Sequence, residues 1–271
     1  MSGQFALLAQ RRFAPFFGAQ ALGAFNDNLL KNGLVVLAAY QGTRLTVLDP
    51  GLLSNLASGL FVLPYLLFSG IAGQLADRLD KTLLIRVVKA AEVAIMALAG
   101  LGFARGDVAL LLGCLFLMGL HSTFFAPAKY GLLPQVLRDT ELVGGNALVE
   151  MGTFVAILLG TLAAGELAGA AAGTGTGLLT GALLGVAAAG VLASLAMPRL
   201  PAVAPRLEID WNPWRSSLAN VRAARGTRAV FLSILGISWF WAYGALVLAQ
   251  LPLYAREVLN GDERVLTLLL V

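Results

Sequence analysis

The sequence predicts an all-α integral membrane protein. Of its 271 residues 58% are hydrophobic and only 13% charged, where a soluble domain carries about 25% charged residues. The apolar residues fall into runs near the roughly 20 residues that a helix needs to cross a bilayer. Lipid offers an open backbone no hydrogen-bond partner, so these runs are predicted as helices. The first apolar stretch is too long for a cleavable signal peptide and lacks a small-residue cleavage site.

Seven spans and the start of an eighth follow in order: Phe13–Tyr40, Leu52–Leu75, Thr82–Phe103, Val108–Phe125, Leu142–Ala164, Leu178–Met197 and Val230–Ala255, then Val265–Val271. The first carries a polar knot, Asn26, Asp27 and Asn28 with Lys31 one turn on. A charge at the centre of a bilayer helix costs about 2.5–3.5 kcal/mol on insertion scales. The knot therefore points to a protected, watery interior and a transport pathway. Asp27 and Lys31 share a helical face, so they either pair or serve a substrate. In the third span, Lys89 and Glu92 either neutralise each other or leave Lys89 to a substrate. His121 in the fourth reads as a packed histidine more readily than as a proton carrier. Gly177, Gly181 and Gly185 form a small-residue stripe for close packing of the sixth span, whereas Gly169–Gly175 reads as a turn.

Six spans, a hydrophilic connector and a new span divide the chain into 1–197, a six-helix lobe; 198–228, the connector; and 229–271, the start of a second lobe. That is the layout of a carrier built from two lobes. Trp211 and Trp214 beside Arg215, Arg222 and Arg225 make the connector either an interfacial helix or a solvated linker. Of the 19 basic residues, Arg11, Arg12, Arg78, Lys81, Arg86, Arg138, Arg199, Arg206, Arg215, Arg222, Arg225 and Arg228 fall on one side. Arg44, Arg105, Arg256 and Arg264 fall on the other. The richer side is expected to be cytoplasmic, with the N-terminus inside. The net charge of +4 is then explained by the membrane, and no nucleic-acid partner is expected. Cys114 allows no internal disulfide, the lone His121 excludes a multi-histidine metal site, and no cofactor is expected. With its last apolar run unflanked, the sequence is expected to be a fragment of a two-lobe carrier that does not transport alone.

Gly73-Gln74-Leu75-Ala76-Asp77-Arg78-Leu79-Asp80-Lys81 falls between the second and third spans. Gly73 permits close approach, Asp77 suits a helix N-terminus, and Arg78 and Lys81 suit acidic groups or helix C-termini. Such a cluster is either a gate that holds one side shut or a plain basic turn. The run resembles the loop signature of the major facilitator superfamily, departing from it at Asp80 and Thr82. Three further segments join it: Gly23–Asn28 in the first span, Pro127–Pro134 after the fourth, and Gly145–Glu150 entering the fifth. With Ser238–Trp241 and Gln250–Pro252, the set resembles the bacterial lysophospholipid transporters, including the longer members fused to an acyltransferase and an acyl-acyl carrier protein synthetase.

The resemblance implies a six-helix first lobe plus one or two helices of a second. It also implies a carrier that moves lysophosphatidylethanolamine-type lipids inward across the bacterial inner membrane by alternating access, for reacylation by a fused or separate acyltransferase. A zwitterionic headgroup needs an anionic and a cationic contact. Asp27 suits the ammonium, and Lys31, Lys89 or Lys129 the phosphate; Asn28 belongs to the same knot. Lys129 either meets substrate or snorkels to the headgroups. Glu150 is either a partner of the loop cluster or an anion at a helix N-terminus. The alternative is an exporter of small drugs or metabolites. An acyltransferase in this chain is disfavoured: its histidine–x4–aspartate pair would need an aspartate at Ala126. No phosphate-cradling glycine–lysine loop occurs.

Overall fold

A computed structural model describes residues 3–41, 50–254 and 258–259. Arg44, Arg256, Arg264 and Val265–Val271 lie outside them. The elements are α1 (Ala14–Gln41), α2 (Pro50–Arg78), α3 (Lys81–Arg105), α4 (Val108–Val136), α5 (Leu142–Thr174), α6 (Gly177–Leu195), α7 (Pro213–Arg225) and α8 (Arg228–Leu253), preceded by a 3-10 turn at Gln4–Ala9. Among the described residues there is no strand. Helices α2 to α6 are each long and apolar enough to cross a membrane. Helix α1 falls short of that measure because Asn26, Asp27, Asn28, Lys31 and Asn32 interrupt its apolar run. The protein is an all-α integral membrane protein.

The helices start and stop where local chemistry dictates. Asp80 caps α3, its carboxylate accepting from the Thr82 and Leu83 amides at 2.8 and 3.2 Å. Gly106 ends α3 in the left-handed region, φ 65°. Asp107 then caps α4, accepting from the Leu110 amide at 3.0 Å. Two of the predicted boundaries need correction. Helix α4 continues eleven residues past Phe125, through Pro127 and Pro134, so the segment Pro127–Pro134 lies inside it. Helix α5 runs to Thr174, so Gly169–Thr174 is helical where a turn was expected. A membrane helix tolerates proline because its neighbours re-satisfy the freed backbone groups.

The chain forms two compact units, Met1–Ser216 and Ser217–Val271. In the first, α1 packs on α5 and α6, and α4 on α2 and α3, with α3 also on α6. Two apolar clusters divide this unit along its helices. One includes Leu29, Leu34, Met96, Leu115 and Leu183; the other includes Phe13, Phe16, Ile85, Leu132 and Val149. Asn26 and Asp27 of α1, Lys89 and Glu92 of α3, His121 and Ser122 of α4 and Thr153 of α5 lie between the two. The second unit contains the rest of α7 and α8; in it the Arg225 guanidinium sits 5.4 Å from the Phe231 ring.

The expected glycine stripe does no packing: a Cβ at Gly177, Gly181 or Gly185 would meet open space. Close packing occurs elsewhere. A Cβ at Gly160 of α5 would overlap the Phe25 carbonyl of α1, and one at Gly119 of α4 would overlap the Phe61 carbonyl of α2. These glycines let two helix pairs approach backbone to backbone.

Two arginines at one end of the bundle hold helix ends. Arg86 donates to the carbonyls of Ser194, Leu195 and Met197 at 3.2, 3.0 and 2.9 Å, closing the C-terminus of α6. Arg12 donates to Val136 O and reaches both Glu141 oxygens at 2.8 Å. The connector is tied to the same end. The Ala204 amide donates to Asp77 O at 2.9 Å. Thr82 Oγ1 donates to Pro198 O at 2.6 Å. The Gln74 amide accepts from Asp210 N at 2.7 Å and donates to Ser216 Oγ at 2.6 Å. Part of the connector is helical, as α7, with Trp211 and Trp214 exposed.

Candidate functional site

The polar layer of the first unit is a network centred on Glu92 of α3, which is fully buried. Lys89, one turn earlier, donates to Glu92 Oε2 at 2.7 Å. Asn26 of α1 donates to Glu92 Oε1 at 2.8 Å and contacts Leu183 O of α6 at 3.3 Å. His121 of α4 places Nε2 3.3 Å from Glu92 Oε2, off the hydrogen-bond line. The carboxylate thus ties α1 to α3 and lies against His121 of α4, while Asn26 extends the network to α6. A buried ion pair offsets its desolvation only when further hydrogen bonds satisfy it, and Asn26 supplies one here. The Lys89 ammonium also lies 5.5 Å from the Phe125 ring.

Beside this network is a cavity of about 280 Å³. Asp27, Lys89, His121, Ser122, Lys129 and Thr153 supply its main polar groups, and Tyr65, Phe125 and Tyr130 its aromatic walls. Ser122 Oγ donates to Asp27 Oδ2 at 3.0 Å and stands 3.4 Å from His121 Nδ1. Asp27 Oδ1 is buried and has no hydrogen-bond partner among the described residues. Lys129 donates to Thr153 Oγ1 at 3.0 Å, and that hydroxyl lies 2.9 Å from Gln20 Oε1. Glu150 is 3.9 Å from Lys129 Nζ and accepts from Tyr130 OH at 2.7 Å. Ser122 and Lys129 are seven residues apart on α4, about 10 Å along the axis. Side chains on a helix lean toward its N-terminus, which brings Lys129 back toward Ser122 and Asp27. The cavity is thus bordered on one side by the Asp27 carboxylate, whose buried Oδ1 lacks a hydrogen-bond partner among the described residues, and on the other by the Lys129 ammonium. That charge pattern complements a zwitterion with an apolar portion.

Of the residues singled out from the sequence, Asp27, Lys89 and Lys129 meet in this cavity. Asn28 and Lys31 do not line it. The Asn28 amide donates to Ala24 O of its own helix at 2.9 Å, and Lys31 forms no ion pair with Asp27 among the described residues, which removes pairing as one of the two alternatives for Asp27. Lys129 does not snorkel: it is only 8% exposed, because α4 carries it inside the bundle. Glu150 lies two turns into α5, so it neither caps that helix nor meets the loop cluster; its partners are Tyr130 and Lys129. In the loop cluster, Gly73 lies inside α2 facing open space, and Asp77 and Arg78 are exposed. Asp80, not Asp77, occupies the helix N-terminus. Lys81 is buried, its Nζ without a hydrogen-bond partner among the described residues, so it bridges neither an acid nor a helix C-terminus.

Sequence reasoning missed Ser122, Thr153, Gln20, Tyr65 and Tyr130. Small hydroxyl residues such as Ser122 and Thr153 are ordinary in membrane helices, so nothing singled those two out. Glu92 carried a usable signal, since a carboxylate deep in an apolar run needs a partner.

Residues 16–271 match the pattern of the Major Facilitator Superfamily. The chain is 30% identical to the lysophospholipid transporter LplT of Serratia proteamaculans over 267 residues, covering 97% of this chain and 62% of that protein. It is 32% identical to the LplT of Klebsiella pneumoniae over 243 residues, 89% of this chain and 57% of that protein. It is 29% identical to the LplT of Yersinia pestis over 268 residues, 97% of this chain and 61% of that protein. The chain thus spans about three fifths of the length of the curated relatives it matches. With the family pattern reaching from α1 to the last residue, and with the helical bundle that carries it, the chain belongs to the major facilitator superfamily.

Proposed function

We propose that this chain forms the first lobe, and the start of the second, of a lysophospholipid transporter. In this reading it carries lysophosphatidylethanolamine-type lipids inward across the bacterial inner membrane by alternating access, with the N-terminus cytoplasmic. Reacylation then falls to a fused or separate acyltransferase. The observation that carries the reading is the meeting of Asp27, whose Oδ1 lacks a hydrogen-bond partner among the described residues, and Lys129 in the lining of one cavity. A headgroup ammonium donates to Asp27. Lys129 meets the phosphate as a compact point charge. Lys89 is held in reserve by Glu92. The aromatic walls accommodate the glycerol and the first carbons of the acyl chain. The similarity to lysophospholipid transporters supports the same substrate class. Exposed Asp77 and Arg78 then serve as the gate at the α2–α3 turn.

The test is uptake of labelled lysophosphatidylethanolamine by cells that express the full transporter, against cells that lack it. Lys129→Ala is expected to raise KM by about tenfold or more, as loss of a charge-assisted contact does. Equal uptake with and without the transporter would end the lysolipid reading.

A further inference from the structure

Lys129 has a competitor beside it. Glu150 borders the cavity without lining it. Its Oε1 stands 3.9 Å from Lys129 Nζ, whereas a charge-assisted contact pair closes to about 2.7–2.9 Å. What holds the carboxylate at arm's length is visible in the structure: Tyr130 OH donates to that same Oε1 at 2.7 Å. The Tyr130 ring also lies 5.1 Å from Lys129 Nζ. One residue therefore does two things to its neighbour on α4. Its ring supports the ammonium, and its hydroxyl restrains the nearest anion.

We infer that Tyr130 is a positioning residue that tethers Glu150 away from Lys129, and so keeps that ammonium available to the phosphate of a phosphate-bearing substrate. This rests on the lysolipid reading for the identity of the substrate. Without the tether, Glu150 closes on Lys129 as an internal anion, and the substrate phosphate must displace it. Thr153, which accepts a hydrogen bond from Lys129 at 3.0 Å, is neutral and does not compete in this way. The tether therefore sets affinity for the phosphate and leaves the Asp27 side of the cavity untouched.

Tyr130→Phe isolates the hydroxyl, because the ring and its contact with Lys129 remain. The experiment measures concentration-dependent uptake of labelled lysophosphatidylethanolamine by the full transporter, carrying Tyr130→Phe, Glu150→Gln or both. Membrane abundance of each variant is measured alongside. Tyr130→Phe is expected to raise KM by about fivefold to tenfold, the effect of a lost hydrogen bond to a charged group, with the maximal rate per transporter little changed. Glu150→Gln removes the competing charge, so the double variant is expected to return to the wild-type KM. An unchanged KM in Tyr130→Phe, or a raised KM that Glu150→Gln fails to rescue, overturns the tether. A purely structural role for Tyr130 would instead lower abundance and not be rescued. If wild-type transporter moves no lysolipid, the substrate reading fails, and the same variants are then assayed for inorganic phosphate binding at Lys129 by isothermal titration. Weaker binding in Tyr130→Phe that Glu150→Gln restores supports the tether there; equal binding in all four proteins overturns it.

Discussion

Glu92→Ala is expected to leave little folded protein in the membrane. The substitution strands two groups at once. Lys89 is 1% exposed and loses its 2.7 Å partner, and Asn26 loses the acceptor of its 2.8 Å hydrogen bond. Removing one member of a buried ion pair costs about 3–5 kcal/mol, because the remaining charge is left uncompensated. That is a large share of the about 5–15 kcal/mol by which folded proteins are stable. Thermal unfolding in detergent checks this. The double variant Glu92→Leu with Lys89→Leu is expected to recover most of the loss, since a matched apolar pair leaves no stranded charge. A single variant as stable as wild type would show that Glu92 is not the hub of the network.

Gly160→Val is also expected to destabilise the bundle, by a different route. The side chain at this position has no room, because a Cβ would already overlap the Phe25 carbonyl. The obstacle is backbone, which cannot rotate away as a side chain would. Helices α1 and α5 would have to separate along their whole contact, and overpacking of this kind costs about 1–3 kcal/mol and occasionally more. The comparison is Gly181→Val on α6, where a Cβ meets open space. Melting temperatures of the two variants are expected to differ by several degrees, with Gly160→Val the lower. Equal values would show that the α1–α5 approach is not set by this glycine.

The two substitutions also mark what was legible in the sequence. The membrane helices were legible because apolar length is an almost sufficient cue. Asp27 was legible because a charge in such a helix demands a reason. The Lys89–Glu92 pair followed from their spacing on one helix. Partners on other helices were not legible. Among 31 glycines, the regular spacing of Gly177, Gly181 and Gly185 suggested a packing face, while Gly119 and Gly160 carried it. A stripe that faces lipid has the same spacing as one that faces a helix. Lys129 was misplaced because Pro127 suggested a helix end, whereas α4 continues through it. Lys31 has the spacing to pair with Asp27, but Asp27 instead accepts from Ser122, a residue with no sequence signal of its own.

The cavity explains why Asp27 belongs at the centre of the account. Its Oδ2 is held by Ser122 at 3.0 Å, and its Oδ1 waits buried without a partner among the described residues. Leaving a buried acceptor unsatisfied costs about 1–3 kcal/mol, a cost that a bound ammonium would relieve. Sites built to hydrogen-bond a substrate group discriminate strongly against analogues that lack it.

The most direct measurement is therefore uptake of two lysophospholipids with the same acyl chain, one ethanolamine-headed and one glycerol-headed, by the full transporter carrying Asp27→Asn. The amide keeps the size of the side chain and removes its charge. Uptake of the ethanolamine-headed lipid is expected to fall by about tenfold or more relative to the glycerol-headed one, the loss of one charge-assisted contact. An unchanged ratio between the two lipids would contradict the assignment of Asp27 as the seat of the headgroup ammonium.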